Sequence, residues 1–354
     1  MTEDKGILIK NIYYMLSYAY KTLRQNNFES IATEEFDEIK DLFAAILAKG
    51  VAEQLKKGLY REYVSKSESL STLRGKLDIQ ATIKNKLQHR QVLGCEYDEL
   101  SENNLMNQII KTSAIVLIRE KTVKKEHKSE LKKLLLFFSN IDEIEPKFIR
   151  WDKVRFTKNS RSYEMLINLS YIILHDEIHT TDSGETKLMG FLTDDLMSSL
   201  YENFLREYYR YHYSARGFDI GAPQIPWNFD DGYSDILGLL STMRTDITIR
   251  HKSTGKTLIM DAKYYSSILG YRFNKGSYHS GNLYQIFTYV KNMDRDNTGN
   301  VSGMLMYAKT SETEAVPSEY SIGGNKIAVG VLDLGTEWNE IKNQLDEVMV
   351  KYFT

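Results

Sequence analysis

One cysteine, Cys95, and only four prolines occur in a chain of 354 residues. A single thiol closes no disulfide framework and builds no cysteine-ligated zinc site, and it fits a reducing compartment. With so little proline, long loops stiffened by that residue are not expected. No run of about 18 apolar residues occurs. The N-terminus, MTEDKGILIKNIYYMLSYAY, lacks the charged-then-apolar pattern of a secretory signal. A soluble cytoplasmic protein with no membrane partner is expected. An excess of either charge is also missing: 46 Lys and Arg against 48 Asp and Glu leave a net charge of -2. Most groove binders are clearly basic. Composition therefore does not announce nucleic acid, although a local basic face or a metal bridging to phosphate would serve.

Hydrophobic residues make up 42% of the chain, enough for a sizeable core and too many for a disordered one. A 3.6-residue period predicts helices over 11–23, with Ile12, Met15, Leu16 and Ala19 on one face, and over 34–57, with Gly58 as its stop. From 59 to 100 the texture changes to β-branched and aromatic alternation broken by Ser- and Gly-containing turns, which reads as a small set of strands. Helices are expected again at 102–120, 125–139 and 163–177. The polar stretch HTTDSGETK opens a linker, 179–188. Beyond it come a helix at 193–212, two strand-like runs, a helix at 282–293, buried strands in VSGMLMYAKT and KIAVGVLDL, and a helix at 337–352. This order predicts an α/β (α+β) chain: a helical domain, 1–178, carrying a β-rich insertion at 59–100, and a mixed-sheet domain, 189–354, flanked by helices.

Several motifs fail on inspection. HKSTGKT suggests a phosphate-binding loop, but the glycine required five residues before Gly255 is Arg250. HDEIH places His175 and His179 at i, i+4 with the acid one position too late for HExxH, so two polar positions near a helix end are the simpler reading. Cys95 reads as a small buried apolar residue. Arg74-Gly75-Lys76 is either an ordinary exposed turn or a basic tip for a partner or phosphate.

MRTDITIRHKSTGKTLIMDAKYY, 243–265, carries the chemistry. If Lys252–Gly255 is a four-residue hairpin loop, Asp246 faces Asp261 on the adjacent strand, with Cβ atoms roughly 5 Å apart. Facing carboxylates repel unless a cation lies between them. Lys263, two residues on, projects from the same face. Hard oxygen ligands with positions left for water and phosphate describe a Mg²⁺ site. A nearby lysine can orient the attacking water and help remove its proton, while the metal polarises the phosphodiester. Glu202, in the preceding helix, is a candidate further metal ligand. Gln285 and Tyr289, at i, i+4 in the following helix, are candidates to orient lysine, water or phosphate. A lone D-x-K triplet is more often a solvated face with a cross-strand salt bridge. Here the acid ends an apolar run, LIM, where a polar group is costly without a role.

Asp246, Asp261-Ala262-Lys263 and Gln285-x-x-x-Tyr289 resemble the PD-(D/E)xK nuclease superfamily, with Thr245 in the place of the eponymous proline. KNIYYMLSYAY, RGKLD at 74–78, LYENFL at 200–205, RTDITIR, DAKYY and HSGNLYQ at 279–285 resemble the McrC-like nuclease subunits of McrBC-type, 5-methylcytosine-dependent restriction systems. The matching blocks span about residues 10 to 335. This resemblance implies a restriction-endonuclease-like C-terminal fold that cleaves double-stranded DNA carrying modified cytosine. It also implies a McrB-like AAA+ GTPase partner, a hexameric ring whose hydrolysis the chain stimulates. The β-rich finger would sit in the ring's pore, with Arg74 and Lys76 as partner contacts, and McrC–McrC contacts would form between complexes. A nucleotide site on the partner accounts for the failed phosphate loop. Two alternatives remain at this level: a non-cleaving activator of the GTPase, and a stand-alone exonuclease needing neither partner nor GTP.

Overall fold

Ten buried or half-buried side chains in the eleven residues of IKNIYYMLSYA wind the first helix, α1 (Ile9–Ala19), against a core from its opening turn. The computed structural model describes residues 3–4, 7–20, 31, 34, 36–158, 160–181, 194–230, 232–233, 238–264, 269–272, 275–309 and 317–354. The chain divides into two units, Lys40–Phe191 and Met1–Ile39 with Leu192–Thr354.

In the first unit, α2 (Ile39–Lys57) leads into a three-stranded antiparallel sheet. Its strands are β1 (Glu62–Leu70), β2 (Lys76–Asp78) and β3 (Leu93–Ser101), in the order β1-β3-β2. The expected strands of 59–100 are therefore present, but a helix interrupts them: α3 (Ile79–Leu87). Asp78 caps it by accepting from the Ala81 amide at 3.0 Å, and Thr82 Oγ1 ties it to β3 by accepting from the Gly94 amide at 2.8 Å. The helical signal was present as Ile79, Ile83 and Leu87 at i, i+4, i+8, but all three are exposed and the helix buries Thr82 and Asn85 instead. A pattern read for apolar burial misses such a helix. Three longer helices complete the unit: α4 (Leu105–Arg119), α5 (Lys125–Leu135) and α6 (Glu164–Thr181). Asp41 on α2 accepts from the Lys124 amide and lies 2.6 Å from His127 Nδ1, joining α2 to α5.

In the second unit, α7 (Asp194–Tyr213) precedes a six-stranded mixed sheet. Its strands are β4 (Phe218–Gly221), β5 (Ile247–His251), β6 (Thr257–Lys263), β7 (Val301–Lys309), β8 (Ser318–Ile322) and β9 (Asn325–Asp333). The order is β8-β9-β7-β6-β5-β4; β6–β7 and β7–β9 are parallel and the other pairs antiparallel. The central trio are the apolar runs expected of strands covered on both faces. The two edge strands were missed because they are short, and β8, SEYSI, is almost wholly exposed. Helix α8 (Ser280–Met293) lies on the sheet through Ile286 and Val290, and α9 (Trp338–Phe353) ends the chain. Gly303 on β7 makes the α8 seat possible: a Cβ there would stand 2.8 Å from both Ile286 and Val290.

The expected division at residue 178 differs from the structure at its N-terminal side. Residues 1–39 group with the sheet unit because α1 packs on α7 and because Asn11 Nδ2, buried, donates to the carbonyls of Leu334 and Thr336 at 2.8 and 2.7 Å. Tyr18 OH meets His212 Nε2 at 2.8 Å. These partners lie some 200 to 300 residues away in sequence, beyond the reach of local periodicity. Of the expected linker, 179–188, helix α6 takes the first residues through Thr181, and the rest lies outside the described residues. Among the described residues no helix is long and apolar enough to cross a membrane.

Candidate active site

The hairpin closes as its spacing requires. The His251 amide donates to the Lys256 carbonyl and the Gly255 amide to that of His251, each at 2.9 Å, so Lys252–Gly255 is the loop. Thr257 pairs with Arg250 and Met260 with Ile247, and the same register carried one step further sets Asp246 opposite Asp261. At that step the ladder gives way to side-chain bonding: Asp246 Oδ2 accepts from the Ala262 amide at 2.8 Å. The Thr245 amide donates to the Pro223 carbonyl at 3.3 Å, a bond a proline at this position would have no N–H to make.

Asp261 is 1% exposed at the end of β6. Lys263 Nζ lies 2.6 Å from its Oδ2, so the period of two brings acid and lysine to one face. The contact is one of charge rather than of alignment, since Oδ2 has no hydrogen-bond donor in proper geometry. Lys263 Nζ also donates to Gln285 Oε1 at 3.4 Å, and Gln285 Nε2 donates to Tyr289 OH at 2.9 Å. Tyr289, buried under α8, thereby fixes the amide with its oxygen towards the lysine. Burial, and after it the facing Asp261, raise the Asp246 carboxyl above the ordinary carboxylate range, against the opposing pull of the Ala262 amide and Lys263. Two acids forced together out of water in this way form a place for positive charge.

Asp246, Asp261, Lys263, Gln285 and Tyr289 thus converge on one site. Glu202 does not join them as a third acid: among the described residues no group of three or more His, Cys, Asp or Glu gathers at one point. Its carboxylate is taken by Arg206, one helical turn on, whose Nη1 lies 2.7 Å from Glu202 Oε1. Arg206 is the residue sequence reasoning missed. The i, i+4 spacing from Glu202 was its only signal, and that spacing marks surface ion pairs more often than sites.

The other candidates fall elsewhere. Arg74 lies over the Tyr97 ring at 4.0 Å and 3.5 Å from Glu99, and both it and Lys76 are exposed. Cys95 is buried in β3, as expected. His175 bonds the Tyr171 carbonyl through Nδ1 at 3.0 Å, and the side chain of His179 lies outside the described residues.

A model of the family described as "McrBC 5-methylcytosine restriction system component" matches residues 3–308. The chain belongs to this McrBC family. Among its relatives, the Type IV methyl-directed restriction enzyme EcoKMcrBC of Escherichia coli (strain K12) is 30% identical over 355 residues, covering 99% of each chain. Two solved structures are similar to the chain at lower levels. One is a refined half-complex from a tetradecameric assembly of Thermococcus gammatolerans McrB AAA+ hexamers with bound McrC, at TM-score 0.48 and 18% identity over 94% of this chain and 75% of that one. The other is the Thermococcus gammatolerans McrBC complex, at TM-score 0.39 and 21% identity over 56% and 57%. The McrBC match covers β5, β6 and α8 and so contains all five converging residues.

Proposed function

We propose that this chain is the Mg²⁺-dependent endonuclease subunit of a McrBC-type restriction system, hydrolysing phosphodiester bonds of double-stranded DNA that carries modified cytosine. One observation carries the reading: two facing acids, a lysine and a Gln–Tyr pair from three elements join in one hydrogen-bonded and ion-paired network. The donor set fits a hard divalent cation. It is all oxygen, and it includes Asp261 Oδ2, a buried atom with no aligned donor. Asp246 and Asp261 would hold Mg²⁺, which when bound supplies Lewis-acid stabilisation of charge developing on the phosphate.

The chain's own residues supply the rest. Lys263 places an ammonium beside Asp261, where it orients the attacking water and offsets charge on the phosphoryl oxygens. Gln285, turned by Tyr289, restrains that ammonium. Membership of the McrBC family supports a McrB-like AAA+ GTPase ring as partner, with the 59–100 finger as its contact and Arg74 and Lys76 as exposed cations at its turn. GTPase stimulation by the finger and McrC–McrC contact between complexes belong to the same reading.

The test is cleavage of methylated and unmethylated DNA by the chain reconstituted with its AAA+ partner, with GTP and Mg²⁺. Asp261→Ala and Lys263→Ala are each expected to lower cleavage at least a hundredfold while GTP hydrolysis is still stimulated. Undiminished cleavage by either variant refutes the site. Stimulated GTP hydrolysis with no scission by the unaltered chain, across varied modified DNAs and metals, would leave it a regulator.

A further inference from the structure

Asp246 is held at two points. Its carboxylate accepts from the Ala262 amide, and its main-chain carbonyl, beyond the last ladder pair of β5 and β6, accepts from Arg206 Nη1 at 3.2 Å. The same Nη1 donates to Glu202 Oε1 at 2.7 Å, and Nη2 bonds Asn203 Oδ1. One guanidinium nitrogen therefore touches both the backbone of the first acid and the Glu202 carboxylate of the preceding helix. The Arg206 side chain is 16% exposed and that of Glu202 36%, so these charge-assisted bonds are partly screened from water. An arginine suits this position because its planar fork donates in several fixed directions at once, which a lysine does not.

We propose that Arg206 is a positioning residue of the nuclease site, clamping the Asp246 strand end to α7 and keeping Glu202 at the edge of the acid pair. The proposal rests on the nuclease reading above and deepens it. It assigns α7 a part in metal affinity and in rate, since a carboxylate whose backbone is free to shift loses its fixed separation from its partner acid. Glu202 then acts through Arg206, as an ion-pair partner, rather than as a direct metal ligand.

The test compares unaltered protein with Arg206→Met and Arg206→Lys in the full chain. Thermal stabilisation by MgCl₂ without DNA gives a metal midpoint that owes nothing to activity. Cleavage by the reconstituted complex gives kcat and the KM for DNA. The Met variant is expected to raise the metal midpoint and lower kcat, each at least tenfold, with KM for DNA within twofold, and the Lys variant to recover part of both. Should the Met variant not fold, Arg206→Gln is judged by the same criteria. A midpoint and kcat within twofold of unaltered protein overturn the proposal, as does a lowered melting temperature with no change of midpoint. Asp261→Ala separates this failure from a deeper one: if it loses cleavage while the Arg206 variants do not, only the positioning role falls. If it cleaves normally, the nuclease reading and the proposal fall together.

Discussion

At the scale of single residues, the site is built by spending stability. Asp246 and Asp261 face each other, with Asp261 almost wholly buried. Burial, then the neighbouring charge, push the Asp246 carboxyl upward. A carboxylate so placed favours its neutral form, which means that ionising it weakens the fold at neutral pH. Asp246→Asn keeps the shape and an oxygen to accept from the Ala262 amide while removing one charge. In the metal-free protein at neutral pH this variant is expected to be more stable by about 1–3 kcal/mol. A raised melting temperature in chelator, with cleavage lost, is the predicted pair of results; a lowered melting temperature would show that the acids do not repel. The same residues were the most legible in the sequence. Asp246, Asp261 and Lys263 follow from a loop length and a period of two, and Gln285 with Tyr289 from one helical turn. For Glu202, expected as a further metal ligand, the sequence does not show the ion pair with Arg206 that its carboxylate makes in the structure.

Among the elements, α8 decides whether the network forms. It brings Gln285 and Tyr289 over β6, and it does so by resting Ile286 and Val290 on the place where Gly303 has no side chain. Gly303→Ala would put a Cβ 2.8 Å from both, so these side chains, or the helix that carries them, must shift. Overpacking of this kind costs about 1–3 kcal/mol. The expected outcome is a lower melting temperature together with lower cleavage, although Gly303 touches no reacting group. Ala at 303 with unchanged kcat would show that α8 tolerates displacement. The finger makes a related point. Gly75 has φ +70 and its Cα faces the Glu96 carbonyl and Tyr97, so the turn of Arg74-Gly75-Lys76 is set by backbone approach. That close turn leaves Arg74 stacked on Tyr97 and Lys76 outward.

At the scale of the whole molecule, the two units carry different liabilities. In the Lys40–Phe191 unit, Asp41 is 1% exposed. Burial alone would raise its carboxyl, but His127 and the Lys124 amide outweigh that and hold it below the ordinary range. A depressed carboxyl stabilises the fold at pH above its unfolded value, about 4, and that stability is lost as pH falls through the lower folded value. Between pH 5 and pH 3 the melting temperature of this unit is therefore expected to fall more steeply in the unaltered chain than in Asp41→Asn. Parallel acid curves for the two proteins would remove Asp41 from the account. The sheet unit draws in residues 1–39 from the far end of the chain, so an N-terminal lesion is felt where β9 ends, at Leu334 and Thr336.

The sequence by itself determined the hairpin, its register, the facing acids and the family. All of these except the family are set within some twenty residues by backbone geometry, where side-chain direction repeats every two or every 3.6 residues. Only the tertiary structure decided which distant segments complete the site and the units: α1 on α7, Lys263 on Gln285, and Arg206 on both Glu202 and the Asp246 carbonyl. Such partners are chosen by competition for buried hydrogen bonds and apolar surface among segments far apart in the chain, and no local period records the outcome.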